Sequence, residues 1–236
     1  MNPAADRLRI PHINMNNART EKLLVLFAII LSAGAQAQVS YERILRAGNE
    51  PQNWLTYSGQ YNGWRYSSLD QVNTTNVSRL AMQWTFQTAD TGSFETTPIV
   101  VDGVLYGTAQ NDRAFAIDAR TGRAIWRYQR RMPGKVHPCC GTVNRGFAML
   151  GDRLYMATLD AHVIALDSKT GNLVWDVTSA DYREAYSFTV APLAVKNEVI
   201  VGVSGGEYGI RGFVDAYDAA TGRRLWRFDK IGRAHV

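Results

Sequence analysis

Apolar and polar residues alternate over short runs along much of the chain, which is typical of strands that bury at least one face. The clearest runs cover residues 100–108, 149–156 and 193–201. The first run has Asp102 and Gly103 at its centre, two residue types that tolerate the positive φ of a tight hairpin turn. We therefore predict a hairpin in each run and almost no helix.

Each hairpin is followed by the motif A-x-D-x-x-T-G-x-x-x-W, which occurs three times at intervals of about fifty residues. The Gly suits a left-handed turn, and the Asp can accept hydrogen bonds from the amides of that turn. The Trp can pack against the next repeat. We therefore predict four strands per repeat, which is the blade of an all-β propeller. The motif positions are Asp118, Gly122 and Trp126; Asp167, Gly171 and Trp175; and Asp218, Gly222 and Trp226.

The repeats predict a larger propeller than three blades. Trp84 precedes the first motif, and we expect it to end a further blade that another part of the chain completes. Because propellers typically close with about four to eight blades, we expect this chain to be the N-terminal part of a longer protein.

The start of the chain is typical of a secretory signal peptide. An uninterrupted apolar run covers residues 23–31, with Arg19 and Lys22 before it and a small-x-small site at residues 35–37. The run is too short to span a membrane. We therefore expect a cleaved signal over residues 1–37, a periplasmic location and no stable membrane insertion.

The rest of the chain divides into a propeller segment and a short tail. We expect a partial propeller domain over residues 38–230, whereas residues 231–236 match nothing in the repeat and are expected to be a non-native tail. The net charge of +5 is small and dispersed along the chain. It therefore gives no support for a nucleic-acid partner.

Cys139 and Cys140 are neighbours and are the only cysteines in the chain. In an exported protein they would pair with each other or with another chain, unless both stay free thiols. Consecutive Cα atoms lie about 3.8 Å apart, closer than the roughly 4.4–6.8 Å that is usual for disulfides. A bond between them would also close too short a loop to stabilise the fold much. It makes more sense as a rigid, flat surface for a ligand.

Residues 137–146, with the sequence HPCCGTVNRG, resemble the vicinal-disulfide segment of the quinoprotein alcohol dehydrogenases. Residues 64–73 (WRYSSLDQVN) and 204–212 (SGGEYGIRG) are similar to the opening segment and the metal-and-quinone loop of that family. The resemblance covers nearly all of residues 40–230. It implies an eight-bladed periplasmic propeller that binds pyrroloquinoline quinone (PQQ) and a Ca²⁺ or lanthanide ion on its axis.

The resemblance also implies roles for individual residues. Cys139 and Cys140 would form a disulfide ring against one face of the quinone. Arg145 would point at its reactive carbonyl oxygens, where a fixed positive charge suits an oxygen that gains electron density. Glu207 would bind the metal ion, for which a carboxylate is a suitable ligand. The other cofactor-binding residues would be Glu95, Thr189, Ser204, Gly205 and Gly206.

For the whole protein the resemblance implies oxidation of a small primary alcohol to an aldehyde by hydride transfer to PQQ. Electrons would pass to a cytochrome c, and a homodimer is compatible with the sequence. No acid in this chain matches the family's catalytic base, so we assign no catalytic residue. Two alternatives stay open: a non-enzymatic propeller that binds other proteins, and a quinoprotein sugar dehydrogenase. The doubled cysteine favours the alcohol-oxidising family over both.

Overall fold

Three four-stranded antiparallel sheets dominate the computed structural model, which describes residues 39–229. Each sheet pairs four consecutive strands in chain order, and we number the sheets blade 1, blade 2 and blade 3. The prediction of four-stranded blades in an all-β chain is confirmed. The strands are β1 (Ile99–Val101), β2 (Val104–Ala109), β3 (Arg113–Asp118) and β4 (Ala124–Gln129) in blade 1; β5 (Ala148–Leu150), β6 (Arg153–Ala157), β7 (His162–Asp167) and β8 (Leu173–Thr178) in blade 2; and β9 (Leu193–Val195), β10 (Glu198–Gly202), β11 (Phe213–Asp218) and β12 (Arg224–Asp229) in blade 3.

Helical structure within residues 39–229 is limited to short segments. The α-helix α1 (Tyr41–Leu45) is capped at its N-terminus by Ser40, whose hydroxyl accepts a hydrogen bond from the amide of Arg43 at 3.1 Å. The 3₁₀ turns are Ala47–Asn49, Val77–Arg79, Gln110–Asp112, Tyr182–Glu184 and Gly206–Tyr208.

Blade 2 is buried on both faces because it lies between the other two blades. Along β6, Leu154 and Met156 pack with residues of blade 1, whereas Tyr155 and Ala157 pack with residues of blade 3. Side chains of a strand alternate between its two faces, so each face of β6 contributes to a different hydrophobic core. This explains why β6 is apolar at every position after Arg153.

The turn between the last two strands of each blade confirms the predicted roles of the motif. In blade 2, Asp167 Oδ1 accepts hydrogen bonds from the amide and the hydroxyl of Thr170, both at 2.8 Å. Gly171 has a φ of 72°, and a Cβ placed there would lie 2.6 Å from the ring of Trp126. The indole N–H of Trp126 donates to the Ser168 carbonyl at 2.9 Å. The Trp of blade 1 therefore docks onto the turn of blade 2.

Trp84 docks in the same way, although it does not end a strand. The described residues before β1 contain no strand, so the further blade that Trp84 is expected to end stays a prediction. A Cβ on Gly122 would lie 2.6 Å from the Trp84 ring, and the indole N–H donates to the Ala119 carbonyl at 3.1 Å. Trp175 packs on Gly222 likewise. The motif Trp thus marks docking between units rather than the end of a strand.

The segment before β1 ties the blades together. The amide of Val39 donates to the Gly151 carbonyl of blade 2 at 3.0 Å. Trp54 pairs with β1 of blade 1. The hydroxyl of Tyr61 donates to the Ala194 carbonyl of blade 3 at 2.6 Å. All three blades are therefore linked through one stretch of chain as well as through their cores.

The predicted signal peptide and tail lie outside the described residues. The boundaries of the propeller segment at residues 38 and 230 therefore stay predictions. From residue 39 to residue 229, no helix has the length and apolar character that crossing a membrane requires.

Candidate functional site

The predicted cofactor-binding residues meet at one end of the three blades. Glu95, Arg145 and Thr189 lie shortly before β1, β5 and β9, which are the first strands of their blades. Ser204 follows β10, and β10 runs antiparallel to β9, so Ser204 reaches the end at which β9 begins. The repeat thus brings together residues that lie far apart in the sequence.

Arg145 is held between its two neighbours. Its Nη2 atom lies 2.7 Å from Glu95 Oε2. Its backbone amide and its Nη1 atom both donate to the Thr189 carbonyl, at 3.2 and 3.1 Å. The guanidinium is therefore fixed by a carboxylate on one side and a carbonyl on the other. Because its side chain remains 29% exposed, it can still meet a ligand.

The Thr189 hydroxyl is less accessible than the resemblance implies. Thr189 is only 1% exposed, and its Oγ1 lies 3.1 Å from Ser204 Oγ. Ser204 is half-buried, so a ligand would meet its hydroxyl first. Ser187 pairs opposite Ser204 and carries a buried Oγ without a hydrogen-bond partner. Ser187 could not be predicted from the sequence, because a lone serine before a strand carries no signal.

Cys139 and Cys140 form a disulfide bond, as the resemblance implies. Cys139 is half-buried and Cys140 is exposed, so the bonded pair faces outward. The pair lies on the connection between β4 and β5, the same connection that carries Arg145. The amide of Asn111 donates to the Thr142 carbonyl of this connection at 3.0 Å. Blade 1 therefore supports the disulfide segment directly.

The connection between β10 and β11 needs glycine where it passes its neighbours. Gly205 has a φ of 104°, and a Cβ there would lie 2.8 Å from the Ala185 carbonyl oxygen. A Cβ on Gly206 would meet nothing within 4 Å, so its backbone is open to an approaching ligand.

Tyr208 links this connection to the disulfide segment. Its hydroxyl donates to the Pro138 carbonyl at 3.4 Å, next to Cys139. No predicted role was given to Tyr208, and the contact joins two segments without any shared sequence pattern. The disulfide segment and the glycine loop are therefore neighbours in space.

Each blade has a carboxylate on the connection between its second and third strands. Asp112 of blade 1 is fully buried. Asp160 of blade 2 is 2% exposed and accepts a hydrogen bond from Arg130 Nε at 2.7 Å. Glu207 of blade 3 is exposed, and no described residue pairs with it. Glu207 is therefore the one of the three that can offer its oxygens to a cation.

The described residues provide too few ligands to complete the coordination of a metal ion. Across residues 39–229, no three His, Cys, Asp or Glu side chains come together as a set of ligands. Glu207 is thus a candidate for one ligand of a metal centre, as the resemblance implies.

Asp112 anchors the segment that leads from the disulfide to Arg145. Its Oδ2 accepts the amide of Leu159 at 2.6 Å, and its Oδ1 accepts Asn144 Nδ2 at 2.9 Å. Asn144 also donates to the Ala157 carbonyl at 2.8 Å. Asp112 and Asn144 could not be predicted from the sequence, because their contact joins two blades at positions outside the repeated motif.

The burial of Asp112 affects its protonation. Loss of hydration raises its pKa from the ordinary value of 3.8 to about 7, and the charge of Asp160 acts in the same direction. Hydrogen bonds from Leu159 and Asn144 and the charge of Arg130 oppose this rise. Since the folded pKa lies above the unfolded one, folding is favoured by a bound proton. The contribution is fully present below about pH 4 and is lost as the pH rises through 7.

We therefore expect the free energy of unfolding to fall by about 3 kcal/mol between pH 5 and pH 8 relative to the variant D112N, given 1.36 kcal/mol per pKa unit. Urea denaturation of both proteins at several pH values measures this difference. D112N carries no titrating group at this position, so its stability serves as the reference. Parallel pH profiles for the two proteins would contradict the prediction.

Comparison with known proteins gives the context for this geometry. The sequence model of "PQQ: Glucose/ethanol/alcohol dehydrogenase, beta-propeller domain" matches residues 54–235. The chain belongs to this family. Its three blades are therefore blades of a PQQ dehydrogenase propeller.

Relatives of this PQQ dehydrogenase propeller are longer than the chain. Quinoprotein alcohol dehydrogenase PedH of Pseudomonas putida is 41% identical over 205 residues, which cover 86% of this chain and 34% of the relative. The dehydrogenase subunit of the alcohol dehydrogenase (quinone) of Gluconacetobacter polyoxogenes is 42% identical over 210 residues, covering 86% and 28%. The chain thus spans about a third of the length of the curated relatives it matches.

Solved structures agree with the same family. The quinohemoprotein alcohol dehydrogenase ADHIIG of Pseudomonas putida HK5 superimposes with a TM-score of 0.77 at 39% identity, over 83% of this chain and 30% of that chain. A europium-containing methanol dehydrogenase gives 0.75 at 37% identity, over 81% and 34%. The propeller architecture of the PQQ dehydrogenases is therefore the architecture of this chain.

The arrangement fits the cofactor of the family. PQQ is flat and carries three carboxylates, so it requires a surface for its ring and several donors at its edge. The outward-facing disulfide would offer such a surface, and Arg145, Ser204 and the open backbone at Gly206 would offer donors at the same end of the blades. The buried hydroxyl of Ser187, which has no hydrogen-bond partner, lies on the residue opposite Ser204 and is free to form a further hydrogen bond.

Proposed function

We propose that the protein containing this chain is a PQQ-dependent alcohol dehydrogenase that oxidises small primary alcohols to aldehydes by hydride transfer to PQQ. The supporting observation is the exposed vicinal disulfide on the same blade end as the Arg145–Glu95 pair and the glycine loop. A neutral, rigid sulfur surface beside a fixed cation suits a flat, anionic redox ring better than it suits a protein partner.

Within this proposal, the residues of this chain bind and orient the cofactor. Cys139 and Cys140 support one face of its ring, and Arg145 places a fixed positive charge at its edge. Ser204 and the backbone around Gly206 donate hydrogen bonds to carboxylates, with Thr189 behind Ser204. Glu95 keeps the guanidinium oriented and can bond to the cofactor edge.

Glu207 would hold the metal ion. When both are bound, PQQ supplies a two-electron hydride acceptor and the metal ion a Lewis acid. Ca²⁺ and trivalent lanthanide ions both prefer oxygen ligands, so the exposed carboxylate of Glu207 suits either ion.

The direct test is reconstitution of the protein expressed from its complete reading frame. The apoprotein is mixed with PQQ and either Ca²⁺ or La³⁺, and dye-linked oxidation of ethanol, methanol and glucose is measured. We expect alcohol oxidation that requires both PQQ and metal. Oxidation of glucose alone would favour a sugar dehydrogenase, and absence of PQQ binding would favour a non-enzymatic protein-binding propeller.

We predict that Glu207→Gln weakens metal binding by about ten- to hundredfold, because it removes one charged oxygen ligand from a site for a hard cation. Titration of apoprotein with Tb³⁺, followed by its luminescence, measures the affinity without turnover. Glu184→Gln removes another exposed carboxylate, from the preceding 3₁₀ turn, and is the matched control. Equal affinities for the two variants would exclude Glu207 as a ligand.

The proposal includes the setting of the reaction. A signal over residues 1–37 would deliver the protein to the periplasm, where a cytochrome c would accept electrons one at a time. A homodimer is part of the same expectation. Cell fractionation, reduction of purified cytochrome c and sedimentation test these three points separately.

A further inference from the structure

The segment that carries both Arg145 and the disulfide is fixed mainly by blade 1. The amide of Asn111 donates a hydrogen bond to the Thr142 carbonyl at 3.0 Å. The Thr108 hydroxyl donates to the backbone carbonyl of Asn144 at 3.0 Å. The side chain of Asn144 in turn accepts the amide of Gly146 at 3.1 Å through its Oδ1. These bonds fix the residues directly before and after Arg145 in the sequence.

One carboxylate connects this segment with the body of blade 2. Asp112 Oδ1 orients the Asn144 side chain, and its Oδ2 binds the amide of Leu159 immediately after β6. Asp112 is 0% exposed and Asn144 is 2% exposed. Without the Asp112 oxygens, the Leu159 amide and one N–H of the Asn144 side chain would be buried without a partner, which is unfavourable.

The backbone at Asp112 is unusual for residues other than glycine. Asn111 and Asp112 both have positive φ, 57° and 51°. Left-handed conformations of this kind are strained in residues other than glycine and cluster at functional sites. This backbone conformation directs the Asp112 carboxylate into the interface between blade 1 and blade 2, where it contacts Asn144 and Leu159. The equivalent position of blade 2 is Ala161, because the first residues of β3 and β7 have the same register with the last strands of their blades. The Asn144 contact is therefore not a general feature of the repeat.

We propose that Asp112 is a positioning residue for the cofactor: through Asn144 it sets the orientation of Arg145 and of the Cys139–Cys140 disulfide. Asp112 touches no ligand itself. This inference rests on the proposed function, because it concerns the affinity of the site for PQQ. It predicts that removing the Asp112 carboxylate disturbs the segment of residues 142–146 and lowers the affinity for PQQ, while the strands of blade 2 stay folded.

The test combines cofactor affinity with local hydrogen exchange, using the full protein. In D112A we expect the dissociation constant for PQQ to rise by about ten- to hundredfold, the range typical of residues that orient the direct ligands of a site. Amide exchange over residues 142–146 should accelerate, while exchange over β7 stays unchanged. Titration of apoprotein with PQQ, followed by quenching of Trp fluorescence, gives the affinity without turnover.

Asp118 provides the matched control because it ends the strand β3 that Asp112 precedes. Its Oδ1 also accepts several hydrogen bonds, among them one from the amide of Thr121 at 2.8 Å. D118A removes the same group at the opposite end of blade 1, so it should lower stability but leave PQQ affinity and exchange over residues 142–146 unchanged. D112N, which keeps one acceptor oxygen, should lie between D112A and the wild type and covers the case in which D112A does not fold.

The outcomes separate the two proposals. Faster exchange over residues 142–146 with unchanged PQQ affinity would overturn the positioning role. Equal acceleration over β7 would also overturn it, because Asp112 would then support the fold as a whole. Failure of the wild-type protein to bind PQQ would instead overturn the proposed function, and that result needs no variant.

Discussion

Arg145→Ala should weaken PQQ binding by about a hundredfold, since truncating one partner of a charged hydrogen-bonded pair costs about 2–5 kcal/mol. Two effects add. The cofactor loses a fixed cation at its edge, and Glu95, which lies 2.7 Å from the guanidinium, loses its partner and presents an uncompensated charge to an anionic ligand. Titration of apoprotein with PQQ measures the change directly.

The second effect is separable by a double variant. In R145A/E95Q the uncompensated carboxylate is absent, so this protein should bind PQQ more tightly than R145A alone. Arg123→Ala removes the same charge from an exposed turn at the opposite end of blade 1 and should leave the affinity unchanged. If R145A and R123A bind PQQ equally well, Arg145 does not contact the cofactor.

The fold was predictable from the sequence because each blade is a local unit. The hairpins and the T-G turn depend on residues close together along the chain, such as Asp167, Thr170 and Gly171. Trp84 shows the limit of this reasoning. Its similarity to the motif Trp residues correctly reports docking onto a glycine, but docking does not require that the Trp itself belong to a strand.

The candidate site was predictable only where residues resemble a known family. The disulfide of Cys139 and Cys140 is present, and Arg145 does lie between Glu95 and Thr189. The roles of these residues toward PQQ stay predictions.

The residues that support the site could not be found in the same way. Asp112 and Asn144 come from different blades, and Tyr208 reaches Pro138 across seventy positions. None of these contacts repeats from blade to blade. A carboxylate shortly before a third strand gives no sign in the sequence of whether it orients Asn144, as Asp112 does, or pairs with Arg130, as Asp160 does. Only the packing of neighbouring blades distinguishes these outcomes.

Gly171→Ala should destabilise the protein by about 2–5 kcal/mol, because it combines backbone strain with a clash between two blades. The residue has a φ of 72°, so any side chain is strained. In addition, its Cβ would lie 2.6 Å from the ring of Trp126, which is 8% exposed and has little room to move. Displacing that ring would also break its 2.9 Å hydrogen bond to the Ser168 carbonyl.

Gly151→Ala separates backbone strain from the clash between blades. Gly151 lies in the same blade with a φ of 65°, but a Cβ there would meet nothing within 4 Å. It should therefore cost only about 1–2 kcal/mol, the strain of a left-handed residue. Urea denaturation followed by Trp fluorescence compares the two variants. In the W126A background the cost of G171A should fall to that of G151A, because the clashing ring is gone. Equal costs for G171A and G151A in the wild-type background would mean that the Trp does not lock the blades together.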